Sequence, residues 1–237
     1  MKATNWEFTN RALIFGLIFA ISFPLYFLDP QNVVAALSSW LGPRIRINED
    51  SVAQLLFASA ACILIGAALL RTWASAYLEA DVVYAPDLKT QSLVADGPYR
   101  HVRNPLYLAN VLMAVAMGFM MSRVGFAVAV VSMVIFCYRL IVREEGELLG
   151  SQGERYERYL SAVPRLLPSL QARIASAGRK ANWGAGFKAE SWYWGFAAAL
   201  AVFSVTLKLQ VFFVILAASV ILLWASPWIF RKKDSTQ

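Results

Sequence analysis

Six apolar stretches dominate this chain, and each is a candidate membrane span, although the fifth is marginal in length. They are residues 12–28, 52–70, 106–121, 124–142, 192–207 and 209–230. A helix needs roughly 20 apolar residues to cross the hydrocarbon core of a bilayer. The chain is 59% hydrophobic and only 16% charged, which is unlike a soluble globular domain. The sequence therefore predicts an all-α fold, a polytopic membrane helix bundle of about six transmembrane helices.

Short polar interruptions predict how these helices pair. Only Ser122 and Arg123 separate the third stretch from the fourth, and Lys208 alone separates the fifth from the sixth. Connections this short leave room only for tight turns, so each pair is expected to form an antiparallel helical hairpin. The segment 33–41 is too short to cross about 30 Å of hydrocarbon and is expected at the membrane interface.

The basic residues predict the orientation. The chain carries 22 Lys and Arg against 15 Asp and Glu, a net charge of +7. If both termini are cytoplasmic, only Arg44, Arg46, Arg123 and Lys208 fall on the outer side, as the positive-inside rule requires. The positive charge is therefore explained by membrane topology, and no nucleic-acid partner is expected.

Metal and disulfide chemistry are not expected. Cys62 and Cys137 each lie inside an apolar stretch and are predicted to be buried thiols. His101 is the only histidine, so the chain lacks the ligands of a zinc site built from His and Cys.

Two polar segments, residues 71–105 and 143–191, flank the central hairpin, so their membrane-proximal ends should meet. The first contains DGPYRHVRNPLYL, in which Pro105 suits the first turn of a helix whose free N–H groups favour an anion. In the second, Arg139 and Arg143 are four residues apart and precede Glu144 and Glu145. Arginines, carboxylates and tyrosines at one surface can bind a zwitterion. The alternative is snorkelling arginines beside solvated glutamates.

Two motifs carry a family resemblance. GPYRHVRNPLYL, followed by REEGELLGSQGERYERYLSAVPRLLP, resembles the paired motifs of the isoprenylcysteine carboxyl methyltransferase-like membrane family, which is related to phospholipid methyltransferases. The similarity covers residues 93–168, with weaker support from RTWASAYL at residues 71–78. The chain departs from the family pattern in having Asn104 for a histidine, Gln152 for an aromatic residue, Ala109 for a glycine, and a long tail after residue 173.

The resemblance implies a cytosol-facing pocket for S-adenosyl-L-methionine, formed by the hairpin of the third and fourth spans and the following helix. It places cofactor contacts on Gln91, Leu93, Val94, Gly97, Tyr99, Asn104, Pro105, Leu106, Tyr107, Glu144 and Glu145. It assigns orientation of the methyl acceptor to Arg139 or Arg143, without choosing between them. No metal is expected at this site.

Three regions follow from this interpretation. Residues 1–70 hold the N-terminal transmembrane helices and the interfacial segment, and residues 71–170 hold the methyltransferase core. Residues 171–237 form a linker and a C-terminal transmembrane hairpin, for which an oligomer interface, a lid and simple anchorage remain open roles.

The implied activity is methyl transfer to an amphiphilic or lipidic acceptor from the membrane. An isoprenylcysteine-like carboxylate ranks first, because an anionic acceptor needs little help from a base and Asn104 removes a titratable ring. Phospholipid N-methylation and thiol S-methylation are alternatives within this chemistry. A lipid double-bond reductase using NADPH and a non-catalytic membrane scaffold are the alternatives from other classes.

Overall fold

The computed structural model of the chain describes residues 2–78 and 95–231, and this part is built from α-helices. The helices are α1 (Asn5–Thr9), α2 (Arg11–Ser22), α3 (Val33–Ile45), α4 (Glu49–Tyr77), α5 (Pro105–Gly118), α6 (Arg123–Gln152), α7 (Glu154–Ala162), α8 (Trp183–Ala189), α9 (Ser191–Thr206) and α10 (Leu209–Arg231). Short 3-10 helices cover Phe23–Phe27 and Gly97–Arg100. Within the described residues, β pairing is limited to one bridge between Asn32 and Ser122. The all-α prediction is confirmed.

Two helices, α4 and α6, are long and apolar enough to cross a membrane. Four shorter apolar helical segments, Arg11–Phe27, Pro105–Gly118, Ser191–Thr206 and Leu209–Ile221, accompany them. Helices therefore occur at all six predicted stretches. The number of spans stays a prediction, because four of the six segments fall short of the usual spanning length.

Both predicted hairpins are present. Helix α5 ends at Gly118 and α6 begins at Arg123, where the Ser122 hydroxyl caps the new helix by accepting from the Gly125 N–H at 3.0 Å. The second turn uses Leu207 in the left-handed conformation, with φ of 51°, before α10 begins at Leu209. The segment predicted at the interface forms the longer helix α3, capped by the Asn32 side chain.

The main core lies where α4 packs between α5 and α9. Its centre is lined by small side chains, among them Ala60, Ala67, Ala109 and Ala199, which are fully buried. Small residues let helices approach closely, which is how packing is gained where lipid replaces water. A second core joins α2, α5 and α6 through Met133, Phe136 and Cys137. Cys137 is buried as predicted, but Cys62 is exposed, because it lies on the outward face of α4.

A buried polar network ties the C-terminal hairpin to this bundle. Glu190, with no exposed surface, precedes α9 and forms an ion pair with Arg71 of α4. Arg71 Nη1 also donates to Asn110 Oδ1 of α5 at 2.8 Å, and the Ser75 hydroxyl donates to Glu190 Oε1 at 2.6 Å. The Tyr193 hydroxyl donates to the same Asn110 oxygen at 2.6 Å. Three helices far apart in sequence are joined at one charged centre.

Candidate functional site

The turn before α5 is shaped by a glycine. Gly97 has φ of +58°, and a Cβ atom there would lie 2.4 Å from the Tyr77 ring at the end of α4. Only glycine permits this approach without strain. The contact brings the last turn of α4 against the 3-10 helix Gly97–Arg100, which carries Tyr99. Tyr99 is buried, and its carbonyl oxygen accepts from the Tyr159 hydroxyl at 2.8 Å.

The hairpin brings the start of α5 to the C-terminal half of α6. Pro105 occupies the first turn of α5, as predicted, and Tyr107 follows within that turn. The Tyr107 hydroxyl donates to Glu144 Oε1 at 2.5 Å. Residues predicted from two separate motifs are therefore in direct contact.

Glu145 has a different set of partners and is only 6% exposed. Arg165 Nη2 donates to Glu145 Oε2 at 2.7 Å, and Asn104 Nδ2 donates to Oε1 at 3.3 Å. Arg103 Nε lies 3.3 Å from Oε1, an ion-pair distance, but its N–H is not aligned for a hydrogen bond. The two adjacent glutamates thus differ: Glu144 meets a tyrosine hydroxyl, whereas Glu145 meets two arginines and an amide.

The segment after α7 is hydrogen-bonded to the turn before α5. The Arg103 N–H donates to the Pro164 carbonyl oxygen at 2.9 Å, and Asn104 Nδ2 donates to the Arg165 carbonyl oxygen at 3.1 Å. Further along, the Ser169 N–H donates to the His101 carbonyl oxygen at 3.0 Å. Residues 103–105 and residues 163–165, which belong to the two separate motifs, are therefore held together by hydrogen bonds.

Asp96 anchors the far end of the same turn. Its carboxylate, 2% exposed, accepts from the Ser176 hydroxyl at 2.6 Å and from the N–H groups of Ala177 and Arg179, each at 2.9 Å. The Ser176 hydrogen bond, helped by the two backbone N–H groups, lowers the pKa of Asp96 below its ordinary value despite the opposing effect of burial.

The two predicted acceptor arginines lie against the N-terminal segment. Arg139 Nη2 contacts Glu7 of α1 at 2.6 Å, and the Ala3 N–H donates to the Arg139 carbonyl oxygen at 3.1 Å. Arg143 pairs with Glu147 at 2.7 Å and lies 4.7 Å above the Phe8 ring. These arginines share one helix face, as predicted, and that face carries α1.

The remaining predicted positions divide into two groups. Leu106 is half-buried in the first turn of α5, whereas Gln91, Leu93 and Val94 lie outside the described residues. Sequence reasoning did not select Arg103 or Arg165 as site residues. Both lie within the quoted motifs, and the arginine of VPRLLP was the available signal.

An open cleft of about 540 Å³ lies elsewhere, at the N-terminal end of α6, lined by Leu28, Asp29, Arg123, Val124, Ala127 and Val128. Twenty-one residues separate Arg123 from Glu144 along α6, which corresponds to roughly 30 Å of helix. This cleft is therefore remote from the glutamates.

Residues 55–151 match the phospholipid methyltransferase family model. A nickel-cobalt-cadmium resistance protein from Alcaligenes xylosoxydans xylosoxydans is 28% identical over 88 residues, which are 37% of this chain and 41% of that protein. A cobalt-zinc-cadmium resistance protein from Cupriavidus metallidurans is 27% identical over 88 residues, with the same two shares.

The match thus spans about two fifths of the length of these relatives. No solved structure matches the chain. The family segment runs from α4 to the end of α6 and includes Tyr99, Asn104, Tyr107 and both glutamates. The similarity to the phospholipid methyltransferase family, the family of isoprenylcysteine carboxyl methyltransferase-like membrane methyltransferases, thus covers residues 55–151 of this chain.

Proposed function

We propose that this protein is an integral membrane methyltransferase that uses S-adenosyl-L-methionine and acts on an amphiphilic or lipidic acceptor. The observation that carries the proposal is the contact of Glu144 with Tyr107 and of Glu145 with Asn104, inside the family segment. Two long apolar helices, α4 and α6, support a location in the membrane. The cofactor side faces the cytoplasm in this proposal, together with both termini.

The residues present fit a zwitterionic cofactor. Glu144 accepts a hydrogen bond from a neutral hydroxyl, and burial raises its pKa to about 7, so a bound ammonium group would stabilise its charged form. Glu145 is already balanced by Arg165, and its role is to orient Asn104. The N-terminus of α5, which begins at Pro105, favours a carboxylate. When bound, S-adenosyl-L-methionine supplies an electrophilic methyl group on a sulfonium sulfur.

The acceptor is proposed to be an anion, with an isoprenylcysteine-like carboxylate first. A carboxylate needs no deprotonation before it attacks, whereas an amine or a thiol acceptor requires a base. His101 Nδ1 lies 2.9 Å from the Ser169 carbonyl oxygen, so this nitrogen is engaged by the backbone. Phospholipid N-methylation and thiol S-methylation follow as the other acceptor chemistries.

Three arginines are candidates to orient that acceptor. The role predicted for Arg139 or Arg143 stays a prediction, and the geometry adds Arg165. Its side chain is 40% exposed while it contacts Glu145, so it faces both the candidate site and its surroundings. Replacing each arginine in turn by Gln distinguishes the three candidates. Substitution of the acceptor-orienting arginine should lower the rate of methyl transfer, while the affinity for S-adenosylhomocysteine stays within twofold, about 0.4 kcal/mol.

Calorimetric titration of the nanodisc-embedded protein with S-adenosylhomocysteine, the stable product, tests the proposal. We expect S-adenosylhomocysteine to bind and NADPH, titrated in parallel, to give no signal. Binding of NADPH alone would replace the proposal by a lipid reductase. Binding of neither nucleotide would make a non-catalytic scaffold the better explanation.

Glu144→Gln tests the site within the same titration. Loss of a hydrogen bond to a charged group removes about 1.5–3 kcal/mol, so affinity for S-adenosylhomocysteine should fall roughly 10- to 100-fold. The matched control is Glu147→Gln, one turn along α6, where the glutamate is 40% exposed and pairs with Arg143. Equal affinities in the two variants would contradict the assignment of Glu144.

A further inference from the structure

Residues 166–189, which we call the strap, connect α7 to α9 and carry charge of one sign. The strap contains Arg173, Arg179, Lys180 and Lys188 and no acidic residue. All four cations are exposed. The nearest carboxylate along the chain, Glu190, is fully buried in its ion pair with Arg71 and does not neutralise this surface.

The strap also exposes large apolar side chains. Leu170 is completely exposed and Leu167 is 81% exposed, while Trp183 and Phe187 are each about half exposed, at 50% and 48%. Apolar and cationic side chains are interspersed along the same segment. This combination is typical of a surface that lies on an anionic bilayer.

The contacts of the strap show at which level along α4 it lies. Its C-terminal part, α8, packs on the end of α4, where a Cβ on Gly186 would lie 2.6 Å from the Thr72 carbonyl oxygen. The Asn182 N–H donates to the Ala76 carbonyl oxygen at 2.7 Å. Thr72 and Ala76 lie two and six residues beyond Leu70, where the apolar stretch ends, which is about 3–9 Å of helix.

The N-terminal part of the strap lies at the same level. The Ser169 N–H donates to the His101 carbonyl oxygen, and the His101 ring lies beside the Trp73 ring, with centroids 5.9 Å apart. Trp73 is three residues beyond Leu70 on α4. If the hydrocarbon ends at Leu70, both parts of the strap lie at headgroup depth, because the headgroup layer is roughly 5–8 Å thick on each side of the hydrocarbon.

We propose that the strap is a binding surface for anionic phospholipid headgroups. Its cations pair with the phosphates, while Leu167, Leu170, Trp183 and Phe187 enter the boundary between headgroups and acyl chains. The occupant is lipid, since charge complementarity and depth both match the leaflet that surrounds α4. This inference rests on the membrane location in the proposed function but on no cofactor chemistry.

The strap is hydrogen-bonded to the turn before α5, which belongs to the candidate site. The backbone N–H groups of Ser169 and Arg173 donate to the carbonyl oxygens of His101 and Arg100, respectively. The Ser176 hydroxyl donates to the Asp96 carboxylate. The bound headgroups therefore lie against the segment that stabilises the turn with Gly97 and Tyr99.

A fluorescent label at position 170 tests the proposal. Cys62 is replaced by Ser, Leu170 by Cys, and the buried Cys137 is retained, so that a thiol-reactive bimane labels one site. The full-length protein is placed in phosphatidylcholine nanodiscs that contain an equal mole fraction of either spin-labelled phosphatidylglycerol or spin-labelled phosphatidylcholine. We expect the phosphatidylglycerol probe to quench the label more strongly, and high salt to remove the difference.

The charge variant is Arg173→Gln, Lys180→Gln and Lys188→Gln combined. Each cation near an anionic surface contributes about a fivefold preference, so this variant should lose most of the difference between the two probes. The matched control removes three exposed cations elsewhere, by Arg44→Gln, Arg46→Gln and Lys208→Gln, and should retain it.

Three outcomes would overturn the proposal: equal quenching by both probes, no quenching by either, or an equal loss in the control variant. None of these readouts requires S-adenosylhomocysteine binding. Failure of the lipid surface and failure of the proposed methyl transfer are therefore distinguished.

Discussion

At the scale of single residues, the adjacent glutamates of α6 have separate roles. Successive residues on a helix point about 100° apart, so Glu144 and Glu145 necessarily face different neighbours. Glu144 faces Tyr107 on α5, the other helix of the hairpin, and Glu145 faces Arg165 after α7. In the proposed function the first binds the cofactor, whereas the second joins three chain segments.

Glu145→Gln should destabilise the fold more than the same substitution does at an exposed position. The amide has no negative charge to pair with Arg165 and one accepting oxygen fewer, and Arg103 loses its neighbouring carboxylate, so we expect a loss of about 2 kcal/mol. Thermal unfolding followed by tryptophan fluorescence should show a midpoint lower by about 4–8 °C. Glu147→Gln is the control. A midpoint for Glu145→Gln equal to that of the control would mean that the Glu145 contacts contribute no stability.

Asp96 predicts a pH dependence. Its pKa is lowered in the folded protein, so it contributes stability that is present above the ordinary aspartate pKa and is lost as pH falls through the lowered value. Asp96→Asn should reduce stability at neutral pH and weaken the acid dependence below about pH 4. Midpoints measured against pH for both proteins check this, with the exposed Asp50→Asn as control. Parallel curves for Asp96→Asn and the parent would refute it.

At the scale of elements, α8 is seated on α4 by close backbone contact. Gly186 faces the Thr72 carbonyl oxygen and the Ala76 nitrogen, whereas Gly184 in the same helix has only a side-chain atom of Asn182 nearby, at 3.8 Å. The seven-residue helix is therefore held by one of its glycines and not by the other.

Gly186→Ala should lower stability by about 1–3 kcal/mol, because the new Cβ would overlap backbone atoms that cannot rotate away. Gly184→Ala, the matched control, should be neutral or slightly stabilising, since alanine favours a helix. Thermal unfolding of both variants in the same detergent provides the comparison. If both substitutions had the same effect, close packing of α8 on α4 would be wrong.

The Arg71–Glu190 pair predicts strong coupling between α4 and the C-terminal hairpin. Glu190→Gln leaves a buried guanidinium without its counter-charge, which should cost about 3–5 kcal/mol. The double variant Arg71→Gln with Glu190→Gln should cost less than the sum of the single changes, because neither charge is then left unpaired. Glu49→Gln, at an exposed position, serves as control. Additive effects in the double-mutant cycle would exclude the coupling.

At the scale of the whole molecule, the helical hairpins determine at which end of the bundle each turn lies. The turn at Ser122 and the glutamates of α6 lie at opposite ends of one helix, and the turn at Lys208 lies between α9 and α10. If α6 crosses the membrane, Arg123 and Glu144 lie on opposite sides. The basic residues then favour a cytoplasmic location for the glutamates.

Cysteine accessibility checks this orientation. In a Cys62→Ser background, Lys208→Cys should react with a membrane-impermeant thiol reagent added outside intact cells. Ser161→Cys, at an exposed position in the last turn of α7, should react only after permeabilisation. The reverse pattern would invert the topology, and labelling of both positions from outside would show that they share one side.

Much of the fold and part of the site could be predicted from the sequence, because these depend on local patterns. Apolar length predicted a helix at each of six stretches, and Ser122-Arg123 and Lys208 predicted the two hairpins. The hairpin in turn predicted that Tyr107 and the glutamates would meet. The length of α3 was underestimated, since Asn32 caps a helix that continues past residue 41.

The partners of the charged residues could be learned only from the tertiary structure. Glu190 and Arg71 are 119 positions apart, and no periodicity links an acid before α9 to a cation at the end of α4. Arg139 and Arg143 were placed on one face correctly, but the sequence did not reveal that α1 covers that face. Local preferences determine which residues become helices, whereas the pairing of charges depends on which helices pack together, and that is fixed by the whole chain.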